Sequence, residues 1–202
     1  MLLPRLSLAA AGVLFLLYPV VRPWEDETTA AGAHAAMSSW DWVASHFFAM
    51  IGFILVGLAL LGLRERVGTA AVAVFWGGAG LTLTYYGAED FGLHAAAGTA
   101  GTDLLAVAEA TRYNPVAVTV FGAGLVALAV GAVLVALTLK RPSAWVFAAG
   151  FVLFLPQFFT PAPVRIAHGV LMLAGLVWLA ADLRADRDDR EQAEALSVQG
   201  AA

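Results

Sequence analysis

The chain has 202 residues, 61% of them hydrophobic and 13% charged, with a mean hydropathy of +0.81. A soluble domain carries roughly 45–50% apolar and about 25% charged residues, so the composition excludes one, and it excludes a disordered chain as well. Eleven Lys and Arg with a net charge of −4 argue against nucleic-acid binding, and the absence of Cys rules out disulfides, iron–sulfur clusters and thiolate chemistry.

The expected fold is all-α: a polytopic integral membrane protein whose single helical domain covers 1–183 and ends in a charged tail over 184–202. A membrane-crossing helix needs about 20 mostly apolar residues. Six stretches meet or approach that length, at about 6–21, 42–63, 69–88, 115–139, 143–159 and 163–183. Arg5 ahead of the first stretch is also how a signal peptide begins, but the segment 19–24 offers no small-residue cleavage pattern, so an uncleaved helix is expected. Pro156 makes the fifth stretch the shortest and predicts a kink or an early end there.

Between the first two stretches lies an acidic segment, 24–40, with Glu25, Asp26, Glu27 and His34. His34 is expected to be solvated. After the third comes a longer segment, 89–114, in which 98–101 reads as a turn and Thr102 as the cap of a short helix ending near Arg112. Asn114-Pro115 then reads as a cap and first turn opening the fourth stretch.

Six crossings sort the cations unevenly. Arg5, Arg64, Arg66, Lys140, Arg141, Arg184, Arg187 and Arg190 fall on one side, and Arg22, Arg112 and Arg165 on the other. Cations are retained in the cytoplasm, which predicts a cell-membrane protein with both termini inside and the segments 24–40 and 89–114 outside. Trp24, Trp40, Trp42, Tyr85, Tyr86 and Tyr113 gather near the outer ends and read as an interfacial aromatic belt. Gly and Ala at 123, 127 and 131, and the 77–80 run, read as close helix contacts.

Ionisable groups are costly inside a membrane and tend to face the bundle interior, with partners. Asp41, His46, Glu89, Asp90, His94, Arg165 and His168 all fall toward the outer ends of the stretches, and His46 and His168 sit at matched depth. If the third helix continues, Tyr86, Asp90 and His94 share one face. Two or three imidazoles with a carboxylate suit a transition metal, zinc or iron foremost. On this reading His46, His94, His168 and Glu89 are the ligands, and Glu89 or Asp90 handles the proton in metal-assisted hydrolysis.

Haem b is the alternative cofactor, with His46 and His168 as axial ligands and Arg165 or Arg112 at the propionates. The third reading is a non-enzymatic scaffold or accessory subunit, partnered by the bilayer and by another membrane protein or a second copy, in which polar side chains only join helices. No P-loop, G-x-S-x-G or H-E-x-x-H pattern decides between enzyme and non-enzyme, and the substrate is open.

Overall fold

The computed structural model describes residues 2–199 and is 85% helical, with no strand among the described residues. Helix α1 runs Leu2–Val21, α2 Ala30–Met37, α3 Trp40–Gly62, α4 Arg64–Val67 and α5 Thr69–Gly87. A π-helical turn, Ala88–Gly92, joins α5 to α6, Leu93–Ala97, and α7 follows at Leu104–Arg112. The remainder is α8 Pro115–Leu139, α9 Pro142–Val152, α10 Phe154–Gln157 and α11 Ala162–Gln199. The last helix therefore continues from the apolar stretch into the charged tail, of which residues 200–202 lie outside the described residues.

Six of these helices form a closed ring. Around it, α1 packs on α3, α3 on α5, α5 on α8, α8 on α9, α9 on α11, and α11 back on α1. Phe15, Phe53, Phe151 and Phe154 fill its middle, meeting at centroid distances of 5.0–6.5 Å. Small residues let the walls close. A Cβ on Gly78 would lie 2.6 Å from the Leu128 nitrogen, and one on Gly131 2.9 Å from Phe75, so α5 and α8 touch nearly backbone to backbone.

Four helices are long and apolar enough to cross a membrane: α1, α3, α8 and the Ala162–Ala185 portion of α11. The chain is thus built as a helical membrane protein. The two other expected spans differ for local reasons. The 19 residues of α5 carry Thr82, Thr84, Tyr85 and Tyr86, which lower its apolar character. The fifth stretch breaks at Leu153, leaving an 11-residue α9 that rises only about 16 Å, and Pro156 falls inside the short α10.

At one end of the ring, α2, the π turn, α6 and α7 form a cap with its own small core of Ala33, Met37, Trp42, Leu93 and Leu104. Local chemistry sets its edges. Thr29 accepts from the Gly32 amide to start α2, Asp103 rather than Thr102 accepts from the Ala106 amide to start α7, and Asn114 caps α8 ahead of Pro115 as expected.

Candidate functional site

The polar residues converge where the cap meets the ring, but not in the grouping expected. Arg22, just beyond α1, donates from Nη2 to Glu27 Oε1 at 2.5 Å. Arg112, at the end of α7, donates from Nη2 to the other Glu27 oxygen at 2.7 Å and from Nε to Glu89 Oε1 at 2.9 Å. The Trp42 ring lies between the two cations, 4.9 Å from the Arg22 guanidinium carbon and 5.6 Å from that of Arg112. The side chains of Arg22, Glu27, Glu89 and Arg112 are only 9–18% exposed, so these charges meet in a largely dehydrated setting.

This network ties four parts of the chain together: the end of α1, the 24–40 segment, the π turn and α7. Burial alone would raise the Glu27 pKa, but Arg22 and Arg112 outweigh it and hold the carboxyl below its ordinary value. Glu89 and Glu27 likewise push Arg112 further up than burial lowers it, so the guanidinium stays charged.

Beneath the network lies His46, fully buried on α3 against Trp42 at 4.3 Å and against Tyr18 and Tyr86, each at 5.8 Å. A carbonyl can only accept, so the 2.8 Å contact of His46 Nδ1 with the Trp42 oxygen places the proton on Nδ1. Its Nε2 is left as a bare acceptor. The Tyr86 hydroxyl, the Trp42 indole N–H and both Asp90 oxygens are also buried without partners.

The remaining expected ligands lie elsewhere. His94 sits under Trp40 and donates from Nδ1 to the Met37 carbonyl at 2.8 Å, tying α6 to α2. His168 packs on Phe154 and donates from Nε2 to the Gly150 carbonyl at 2.8 Å, tying α11 to α9. Arg165 is buried, with Nε on Gln157 Oε1 at 2.9 Å and Nη2 on the Tyr18 hydroxyl at 3.2 Å, and it lies over the Trp24 and Phe158 rings. His34 is exposed, as expected.

Among the described residues, no three His, Asp or Glu side chains stand together to hold a metal ion. The expected set of His46, His94, His168 and Glu89 does not stand as one such group: the three imidazoles hold the carbonyls of Trp42, Met37 and Gly150, and Glu89 is held by Arg112. Of the two imidazoles expected as axial haem ligands, His46 holds the Trp42 carbonyl and His168 the Gly150 carbonyl. From His46 a series of ring contacts runs through Tyr86, Phe53 and Phe154 to His168. Glu89 and Asp90 share the π turn but part there, Glu89 going to Arg112 and Asp90 inward, where it is fully buried.

The aromatic belt is split in the same way. Trp40 and Tyr113 are largely exposed, while Trp42 and Tyr86 are core residues beside His46. Sequence reasoning passed over Tyr18 and the joining of Arg22 and Arg112 through Glu27. The available signal was charge: cations and carboxylates of opposite sign cluster at the same end of the helices. The chain matches no family model, no curated protein and no solved structure.

Proposed function

We propose that the chain is a non-enzymatic membrane protein, an accessory or scaffold component. It crosses the bilayer with its six ring helices, keeps both termini in the cytoplasm and carries the cap outside. One observation carries this reading: four of the expected or neighbouring polar side chains, Glu27, Glu89, His94 and His168, are engaged in joining elements. Glu27 and Glu89 bind the arginines, His94 joins α6 to α2, and His168 joins α11 to α9. Two cavities, one at Thr84 and Ala117 and one at His34 and Thr102, include none of these four side chains. The cation asymmetry supports the orientation, and closure of the ring by α5 and α9 supports six crossings.

A specific observation favours transition-metal binding as the second reading. An imidazole whose Nδ1–H is fixed on a carbonyl while Nε2 stays bare has the arrangement of a metal-ligating histidine, and His46 has it. A metal there would draw its other ligands from water or from a bound molecule.

Elemental analysis of protein purified in detergent, alongside His46→Phe and Glu89→Gln, tests the choice. The scaffold reading expects metal far below one equivalent and both variants monodisperse. One equivalent of zinc or iron, lost in His46→Phe, would overturn it in favour of the second reading.

A further inference from the structure

The two ends of the ring differ in the charge they show. Among residues 2–185, the cap end exposes Glu25, Asp26, Asp41, Asp103 and Glu109 but no Lys or Arg, because Arg22, Arg112 and Arg165 are drawn inward by Glu27, Glu89 and Gln157. The opposite end exposes Arg64, Lys140 and Arg184 against Glu65. Asp182, the other carboxylate there within the same residues, is engaged by Ser143.

Three of the cations at that end lie along one edge, where α1, α4 and α8 finish. Pro4 seats on Gly62, where an added Cβ would lie 2.8 Å from its Cγ, so Arg5 follows directly on the contact between α1 and α3. Arg64 opens α4 two positions past Gly62, and α4 packs on α8, which ends at Lys140. Among the described residues, the side chains of Arg5, Arg64 and Lys140 enter no ion pair or hydrogen bond. A crevice of about 370 Å³ opens at Leu61, Gly62, Arg64 and Glu65, and Leu2, Leu3, Leu6 and Leu61 stand exposed at the same edge.

Unpaired cations above exposed leucines match the two halves of a phospholipid. A guanidinium holds a phosphate through paired N–H donors and an ammonium attracts it as a point charge, while the leucines cover an acyl chain. A zwitterionic lipid brings its own ammonium, which these cations repel. A lipid with a net negative headgroup is favoured by roughly 1 kcal/mol per interfacial cation.

We propose that this edge holds an anionic phospholipid of the surrounding leaflet, its phosphate on Arg64 and Arg5, Lys140 adding charge, and an acyl chain along Leu2, Leu6 and Leu61. The proposal rests on the chain being embedded in a bilayer. It is independent of which end faces the cytoplasm and of whether His46 holds a metal.

The test reconstitutes the full chain into nanodiscs of equal parts phosphatidylglycerol and phosphatidylcholine with the same acyl chains. Lipid retained after extraction in mild detergent is counted by mass spectrometry. The expected result is phosphatidylglycerol retained over phosphatidylcholine by about fivefold or more, the equivalent of about 1 kcal/mol. The double variant Arg5→Gln, Arg64→Gln brings the ratio below about two, while Arg5→Lys, Arg64→Lys keeps most of it. Lys140→Asn removes a charge at a position whose φ of 53° Asn tolerates, and it lowers the ratio about two- to fivefold. Asp103→Asn, at the cap, leaves the ratio unchanged. A ratio near one in the parent, or an unchanged ratio in either folded charge-removing variant, would overturn the proposal. Displacement of the lipid by millimolar inorganic phosphate at fixed ionic strength would overturn it too, marking a site for a free anion. Failure of the parent to enter nanodiscs would overturn the membrane reading itself, which a ratio near one leaves standing.

Discussion

Glu27 reaches Arg112, 85 positions along the chain, at 2.7 Å, while its second carboxylate oxygen holds Arg22. One carboxylate therefore joins the segments 24–40 and 89–114 to the end of α1. Among the described residues, Glu89 forms its ion pair with Arg112 only. Truncating one partner of a fully buried pair costs roughly 3–5 kcal/mol, and the partial exposure of this network argues for a smaller figure. We expect Glu27→Gln to weaken the cap by about 2 kcal/mol and Glu89→Gln by about half as much, on the same scale. Amide hydrogen exchange in Ala30–Met37 and Leu104–Arg112 reads this directly. The expected order of exchange rates is Glu27→Gln above Glu89→Gln above the parent.

The same carboxylate makes cap stability depend on pH. The arginines hold Glu27 below its ordinary pKa of 4.5, so the unfolded chain binds more protons than the folded one in that window. Stability contributed by Glu27 is therefore complete above about pH 5.5, and it declines as pH falls through 4.5 and below. Asp26 adds a smaller dependence of the same sign, since the Thr28 hydroxyl and amide lower its pKa. Exchange rates in α2 should rise on acidification from pH 5.5 to 3.5, and Glu27→Gln should flatten most of that rise.

Packing between α5 and α8 separates two adjacent glycines. A Cβ on Gly78 would meet backbone atoms of α8 at 2.6–3.0 Å, whereas one on Gly77 has nothing within 4 Å. Gly78→Ala should cost about 1–3 kcal/mol by overpacking, while Gly77→Ala should be neutral or slightly stabilising through helix propensity. Thermal unfolding in one detergent compares the pair, and equal midpoints would contradict the contact.

The absence of cysteine makes the proposed orientation easy to read. Single cysteines at Thr99 and Asp103, both in the cap region, should react with a membrane-impermeant maleimide in intact cells. Cysteines at Glu65 and Lys140 should react only after permeabilisation. The opposite pattern would invert the topology.

The helices and most of their caps were legible because periodicity, Pro and cap residues act locally: Asn114-Pro115 opens α8 and Pro156 shortens the fifth stretch. Convergence of charge at one end was legible as well, since cations and carboxylates cluster in and beside the segments 24–40 and 89–114. The pairing was not. Whether Glu89 meets an imidazole or Arg112 depends on how α7 folds back across the π turn, a tertiary relationship with no local signature. The histidines misled for a related reason. His46 and His168 each stand six positions after the first residue of their helices, but that spacing does not say which way a ring points around the helix axis.

A double-mutant cycle between Glu27 and Arg112 tests the clamp most directly. Glu27→Gln, Arg112→Met and the double variant are compared by reversible unfolding in mixed micelles. The account predicts a coupling of about 1.5 kcal/mol or more between the two sites, in the range found for residues sharing one ionic network. Effects that simply add, to within about 0.5 kcal/mol, would show that the two residues do not hold the cap together.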